Sequence, residues 1–92
     1  MYKIPRVNVI ESDEGFSVEV LGRTGILYTE GVRSIRIDSE VANATTIAII
    51  KDSIQTWNPP HENETVDNNR RDLIIENIRQ AFHSQLKTIE ID

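Results

Sequence analysis

The chain contains no cysteine. A disulfide framework, a thiolate zinc site and thiol catalysis are therefore excluded. Aromatic residues make up only 5% of the 92 positions, with a single Trp, so the core has to be assembled mainly from Ile and Val. Positive charge is in deficit: 10 Lys and Arg stand against 15 Asp and Glu, a formal charge of −5. DNA, RNA and anionic membranes repel such a surface, whereas a basic protein is steered toward it. The same charge also serves simply to keep a protein in solution. Long apolar runs are missing too. The longest, Ile47 to Ile50, is far too short to span a bilayer. Met1 to Pro5 lack the basic start and apolar stretch of a secretory signal, so cytoplasmic residence is the expectation.

What is present suits one small domain, residues 1–92, with a compact core and no room for a large internal ligand cavity. Small β-rich domains often cover a leftover apolar face by pairing with a second copy, so a homodimer remains open. Val7, Val9 and Glu11 suggest a first strand, closed by a turn at Ser12-Asp13-Glu14-Gly15. Phe16, Val18 and Val20 alternate with Ser17 and Glu19, the pattern of a half-buried strand. Two further turns, at Gly22-Arg23-Thr24-Gly25 and Glu30-Gly31, bracket Ile26-Leu27-Tyr28 and lead into Arg33 to Asp38. Short strands with turn signals this close together predict an antiparallel meander. Ser39 to Ala44, small and polar, reads as a loop.

Thr45 to Ile50 is apolar on both faces, which places that strand centrally or under cover on two sides. Pro59-Pro60 ends regular structure because neither residue offers a backbone donor, and His61 to Val66 reads as solvated loop. Asp67 is a sound N-cap for a helix whose buried stripe is Ile74, Ile78, Ala81 and Phe82, widened by Leu73 and Ile75. Arg70 and Arg71 oppose the helix dipole slightly. The helix frays near Ser84, and Lys87 to Asp92 forms a last strand with Ile89 and Ile91 inward. The expected fold is α+β: a curved, mostly antiparallel sheet of about five or six short strands, one long helix in the C-terminal half packed on one face, and a final short strand.

Chemistry is harder to find. His61-Glu62-Asn63-Glu64-Thr65 approaches a zinc-protease signature, but Thr65 stands where a second His is required and two prolines precede it. His83 is the other histidine, and no Gly-x-Ser-x-Gly elbow exists to build a triad. No catalytic residue, metal site or cofactor site is expected. Gly22-Arg23-Thr24-Gly25 has the letters of an RNA-binding Gly-x-x-Gly loop, yet it joins strands in an acidic chain and reads as a hairpin turn.

Trp57 has two readings. A lone Trp in a small domain commonly plugs the core beside the helix. It also suits an anchor at a binding surface, where Trp is enriched, and the rigid Pro59-Pro60 pair would present it at low entropic cost, with Glu62 and Glu64 as an acidic rim.

The order Asp52-Ser53-Ile54, Trp57, Pro59-Pro60-His61, then Ile74-Ile75-Glu76-Asn77-Ile78, resembles the immunity protein 74 family of bacterial polymorphic toxin systems. Leu27 to Gly31, Arg36 to Glu40 and Ile89-Glu90-Ile91 fit the same resemblance, which spans Phe16 to Ile91. The Trp-x-Pro-Pro-His run is its most specific element. The resemblance implies a non-catalytic inhibitor whose partner is a cognate toxin domain, bound so as to occlude its active or functional surface. Trp57, Glu62, Glu64, Asp13 and Glu14 are the partner-binding candidates, the carboxylates serving as phosphate mimics if the toxin is a nuclease. A small homodimeric structural or ligand-binding domain is the alternative.

Overall fold

A computed structural model describes all residues, 1–92. Seven strands form one sheet in plain sequence order: β1 (Tyr2–Arg6), β2 (Val9–Ser12), β3 (Phe16–Val20), β4 (Gly25–Glu30), β5 (Arg33–Asn43), β6 (Thr46–Ile49) and β7 (Thr88–Ile91). Neighbours pair antiparallel from β1 through β6, while β6 and β7 run parallel. Parallel neighbours need a long crossover. Here it is the helix α1 (Asn68–His83). The fold is α+β, as the alternation of the strands and the helical stripe predict.

Register determines the two faces. Ile10, Val18, Tyr28 and Ile35 stand opposite one another across four strands, and Val20, Ile26 and Ile37 form the next row. These rows face the helix and are buried, except that Val20 at the end of β3 is only partly so. The other face carries Glu11, Ser17, Thr29 and Ser34 in one row and Glu19, Leu27 and Arg36 in another, so it is largely polar. The turn between β2 and β3 uses Gly15 at φ +97°, a conformation that costs glycine nothing.

Two strands exceed the expectation. Tyr2–Arg6 forms an extra edge strand, and Val7-Asn8 is the turn that follows it, with Asn8 at φ 68°. Pro5 is tolerated there because an edge strand has one side without ladder bonds. β5 does not stop at Asp38. It runs 11 residues to Asn43, pairing with β4 through its first half and with β6 through its second. The segment Ser39–Ala44 is therefore strand almost to its end, because Ser39 and Val41 continue the inward alternation of Ile35 and Ile37.

The helix begins as Asp67 predicts: its side chain accepts from the Arg70 backbone N–H at 2.8 Å. Ile74, Ile75, Ile78, Ala81 and Phe82 are buried against the sheet. Leu73 is not; at 47% exposed it lies outside the stripe that the periodicity suggested. The Arg70 guanidinium pairs with the Glu30 carboxylate, an attractive contact set against its unfavourable place in the helix dipole. At the other end, Lys87 N–H donates to Phe82 O at 2.9 Å and Leu86 N–H to His83 O at 3.0 Å. These bonds form a Schellman-type ending, with Leu86 in the left-handed position usually held by glycine, at φ 61°.

Candidate partner-binding surfaces

The strands end in two contrasting surfaces. At one end, the turns β2–β3 and β4–β5 lie side by side, joined by Gly31 N–H donating to Gly15 O at 3.4 Å. The Trp57 to Thr65 segment folds onto the same end. Asn58 N–H donates to Ser34 O at 2.8 Å, and Thr56 and Thr65 make an isolated bridge across the base of the loop. Asp13, Glu14, Glu62 and Glu64 therefore belong to loops gathered at one end of the sheet, although the sequence separates them into two groups.

Their carboxylates are not equivalent. Glu64 accepts from Arg33 Nε at 3.0 Å and Nη2 at 2.8 Å through one oxygen, and contacts His61 Nδ1 at 2.9 Å through the other. Hydrogen bonds from Arg33, then from His61, hold its carboxyl below the usual range. The loop is thus clipped to β5, not loosely solvated. Asp13 pairs with the Met1 ammonium at 3.1 Å. Glu14 and Glu62 have no cation partner and are exposed. Of the sequence candidates, these two are the carboxylates free to meet another molecule.

Trp57 is in the core. It is 5% exposed and belongs to the same buried cluster as Ile54, Val66 and the helix stripe. A single 3-10 turn over Lys51–Ser53 redirects the chain after β6, so that Ile54 and Trp57 both point inward. The indole is a plug that fastens the loop to the domain. Its ring is not displayed for a partner.

The opposite end carries a surface that the sequence did not reveal. An open groove of about 310 Å³ lies beside the C-terminal end of the helix, lined by Ile4, Val20, Val41, Ile47, Phe82 and Lys87 among others. Val7 at 83% exposed, Leu21 at 39% and Leu86 at 89% are chain neighbours of its lining residues. The expectation of a core without a large internal cavity concerned the interior, and this groove is open to the surface. A readable signal did exist, since Val41 keeps the period-two alternation of β5. The small, polar residues around it concealed that pattern.

A partly buried polar chain crosses between sheet and helix. The Tyr28 hydroxyl receives a hydrogen bond from Asn77 Nδ2 at 2.9 Å and donates to Glu30 Oε1 at 2.7 Å. Burial raises the Tyr28 pKa above its ordinary value, against lowering contributions from Asn77 and Arg70. No three His, Asp or Glu side chains converge in a way that could hold a metal ion. No helix is long and apolar enough to cross a membrane.

Comparison with known proteins adds a family. The family model described as Immunity protein 74 matches residues 17–92. No curated protein and no solved structure matches the chain.

Proposed function

The chain belongs to the immunity protein 74 family, and on that footing we propose that it protects the cell that makes it by binding a co-encoded toxin domain. The match over residues 17–92 carries this reading, because it takes in the loop, the helix and all strands but the first two. The 92 residues act as one domain, in the cytoplasm, as part of a polymorphic toxin system. Inhibition is by occlusion: a rigid sheet-plus-helix surface covers the toxin's active site or a surface it needs, and the immunity protein itself catalyses nothing.

The acidic balance supports a basic partner, steered over a distance set by ionic screening. Asp13, Glu14, Glu62 and Glu64 contribute to that field, with Glu14 and Glu62 the unpaired members. Trp57 supports binding only indirectly, by holding the loop that carries Glu62 and Glu64. A homodimeric structural or ligand-binding domain is the second reading, favoured by the exposed apolar residues around the groove; the largely polar outer sheet face speaks against dimerising there.

Co-expression with the toxin domain encoded beside it tests the function. Growth should be rescued by this chain and not by an unrelated immunity protein. Failure to bind the neighbouring gene product, or failure to rescue, would count against the toxin-binding reading itself.

A further inference from the structure

β5 outruns its neighbour. Its pairing with β4 ends at Gly25–Asp38, followed by one more bond from Ser39 N–H to Thr24 O at 3.1 Å. Backbone groups of successive strand residues point alternately to the two sides. Ser34 O and Asp38 O accept from Asn58 and Ile50 on the β6 side, whereas Ser39 bonds on the β4 side. Val41 still pairs in register with Ile47, just ahead of the register shift between Val41 and Asn43, so the same alternation turns its N–H to the β4 side, beyond the last β4 pair. Val41 is also a lining residue of the apolar groove, and it is 45% exposed. An unpaired strand edge and an apolar hollow therefore meet at one residue.

Two further observations define what fits there. Lys87 is the charged residue among those lining the groove, and it makes no salt bridge, in a chain whose formal charge is −5. Next to it, Leu86 is 89% exposed while held at φ 61°. A left-handed leucine is strained, and this one recovers little by packing within the fold.

We propose that the Val41 edge and the adjoining groove receive an extended segment of the protein partner, which adds a strand to β5, seats apolar side chains in the groove and sets a carboxylate against Lys87. This deepens the toxin-binding reading by naming the chemistry of the toxin segment. A helix has no free backbone groups to satisfy Val41, while an extended chain supplies a donor and an acceptor at the required spacing. Alternate side chains of such a strand point into the groove, and Leu86 meets the segment at the rim. The groove lies at the end of the sheet away from Glu14 and Glu62, so the two surfaces can be altered independently.

Amide exchange and affinity measurements on the complex with the co-encoded toxin domain test the proposal. The Val41 amide should exchange fast in the free protein and slow by about tenfold or more in the complex. Val41→Lys and Lys87→Glu should each weaken binding by about tenfold or more, with the thermal midpoint unchanged. Leu86→Gly should raise the thermal midpoint while weakening the complex, an opposition that a purely structural role cannot produce. Wild-type rescue together with unchanged Val41 exchange and unchanged affinity of the Val41 and Lys87 variants would overturn this docking site and leave the toxin-binding reading standing. If the wild-type chain does not bind the toxin, that reading falls, and the site is then probed with a displayed library of random heptapeptides. Enrichment of alternating apolar sequences bearing Asp or Glu, lost in Val41→Lys, would sustain the site; no enrichment would overturn it. Self-association abolished by Val41→Lys would also overturn it, because the occupant would then be a second copy.

Discussion

Asn77 on the helix donates from Nδ2 to the Tyr28 hydroxyl on β4 at 2.9 Å, joining residues 49 positions apart. The same hydroxyl donates to Glu30 at 2.7 Å, and Glu30 pairs with Arg70, about two helical turns before Asn77 on the same face. This chain explains how a fully buried tyrosine satisfies its polar atom. It also fastens the helix to the sheet by directional bonds that the apolar contacts alone do not provide.

Tyr28→Phe should therefore lower unfolding free energy by about 1–2 kcal/mol, since it leaves Asn77 Nδ2 without its acceptor while keeping the ring. Denaturant titration reads the loss. Wild-type stability should also decline at alkaline pH. The folded hydroxyl has a raised pKa, so it keeps its proton after the unfolded one has begun to ionise; its contribution is full below the ordinary value of about 10 and fades as pH rises through the folded value. The phenylalanine variant should lack that part of the decline.

Ile78 is fully buried between helix and sheet. Ile78→Ala opens a cavity there and should cost roughly 2–5 kcal/mol. Leu73→Ala, at a half-exposed site on the same helix, should stay within about 0.5 kcal/mol of wild type. Thermal or urea midpoints distinguish the two. A barely shifted Ile78→Ala would mean the helix packs in a different phase.

Acidification should release the clip at Glu64. Its folded carboxyl has a lowered pKa, so the unfolded chain binds the proton first as pH falls below about 4.5. The stabilisation is present above that value and lost as pH falls through the folded pKa. Glu64→Gln should flatten this part of the acid limb, and exchange of the Trp57 amide, bonded to Glu64 O at 3.4 Å, should follow the same pH dependence.

Charge steering is best probed at Glu14 and Glu62, because reversing Glu64 would also break its bonds to Arg33 and His61. Glu14→Lys with Glu62→Lys should slow association with the toxin domain while dissociation and thermal midpoint change little. Added salt should slow wild-type association more than that of the double variant. Equal on-rates in low salt would remove these carboxylates from the encounter.

Much of the architecture was legible without coordinates. Asp67 is a cap because its short carboxylate reaches a free helix N–H, and Ile74, Ile78, Ala81 and Phe82 share a face by helical period alone. The alternation in Phe16 to Val20 and Arg33 to Asp38 likewise assigns faces within each strand. Such local patterns determined the α+β class and most of the buried residues. Tertiary structure decided the rest. Period says which side a residue takes, but not which strands end together, so the overrun of β5 beyond β4 arises only from long-range register. Trp57 turned inward because the turn at Lys51–Ser53 aims it at the core, where a large apolar ring gains more than at the surface. Glu64 reads as a solvated loop residue until folding brings Arg33, 31 positions away, within hydrogen-bond reach. Sequence specified the pieces through local sterics and periodicity; the candidate surfaces, the Glu64 clip and the groove beside Phe82, formed only where distant pieces met.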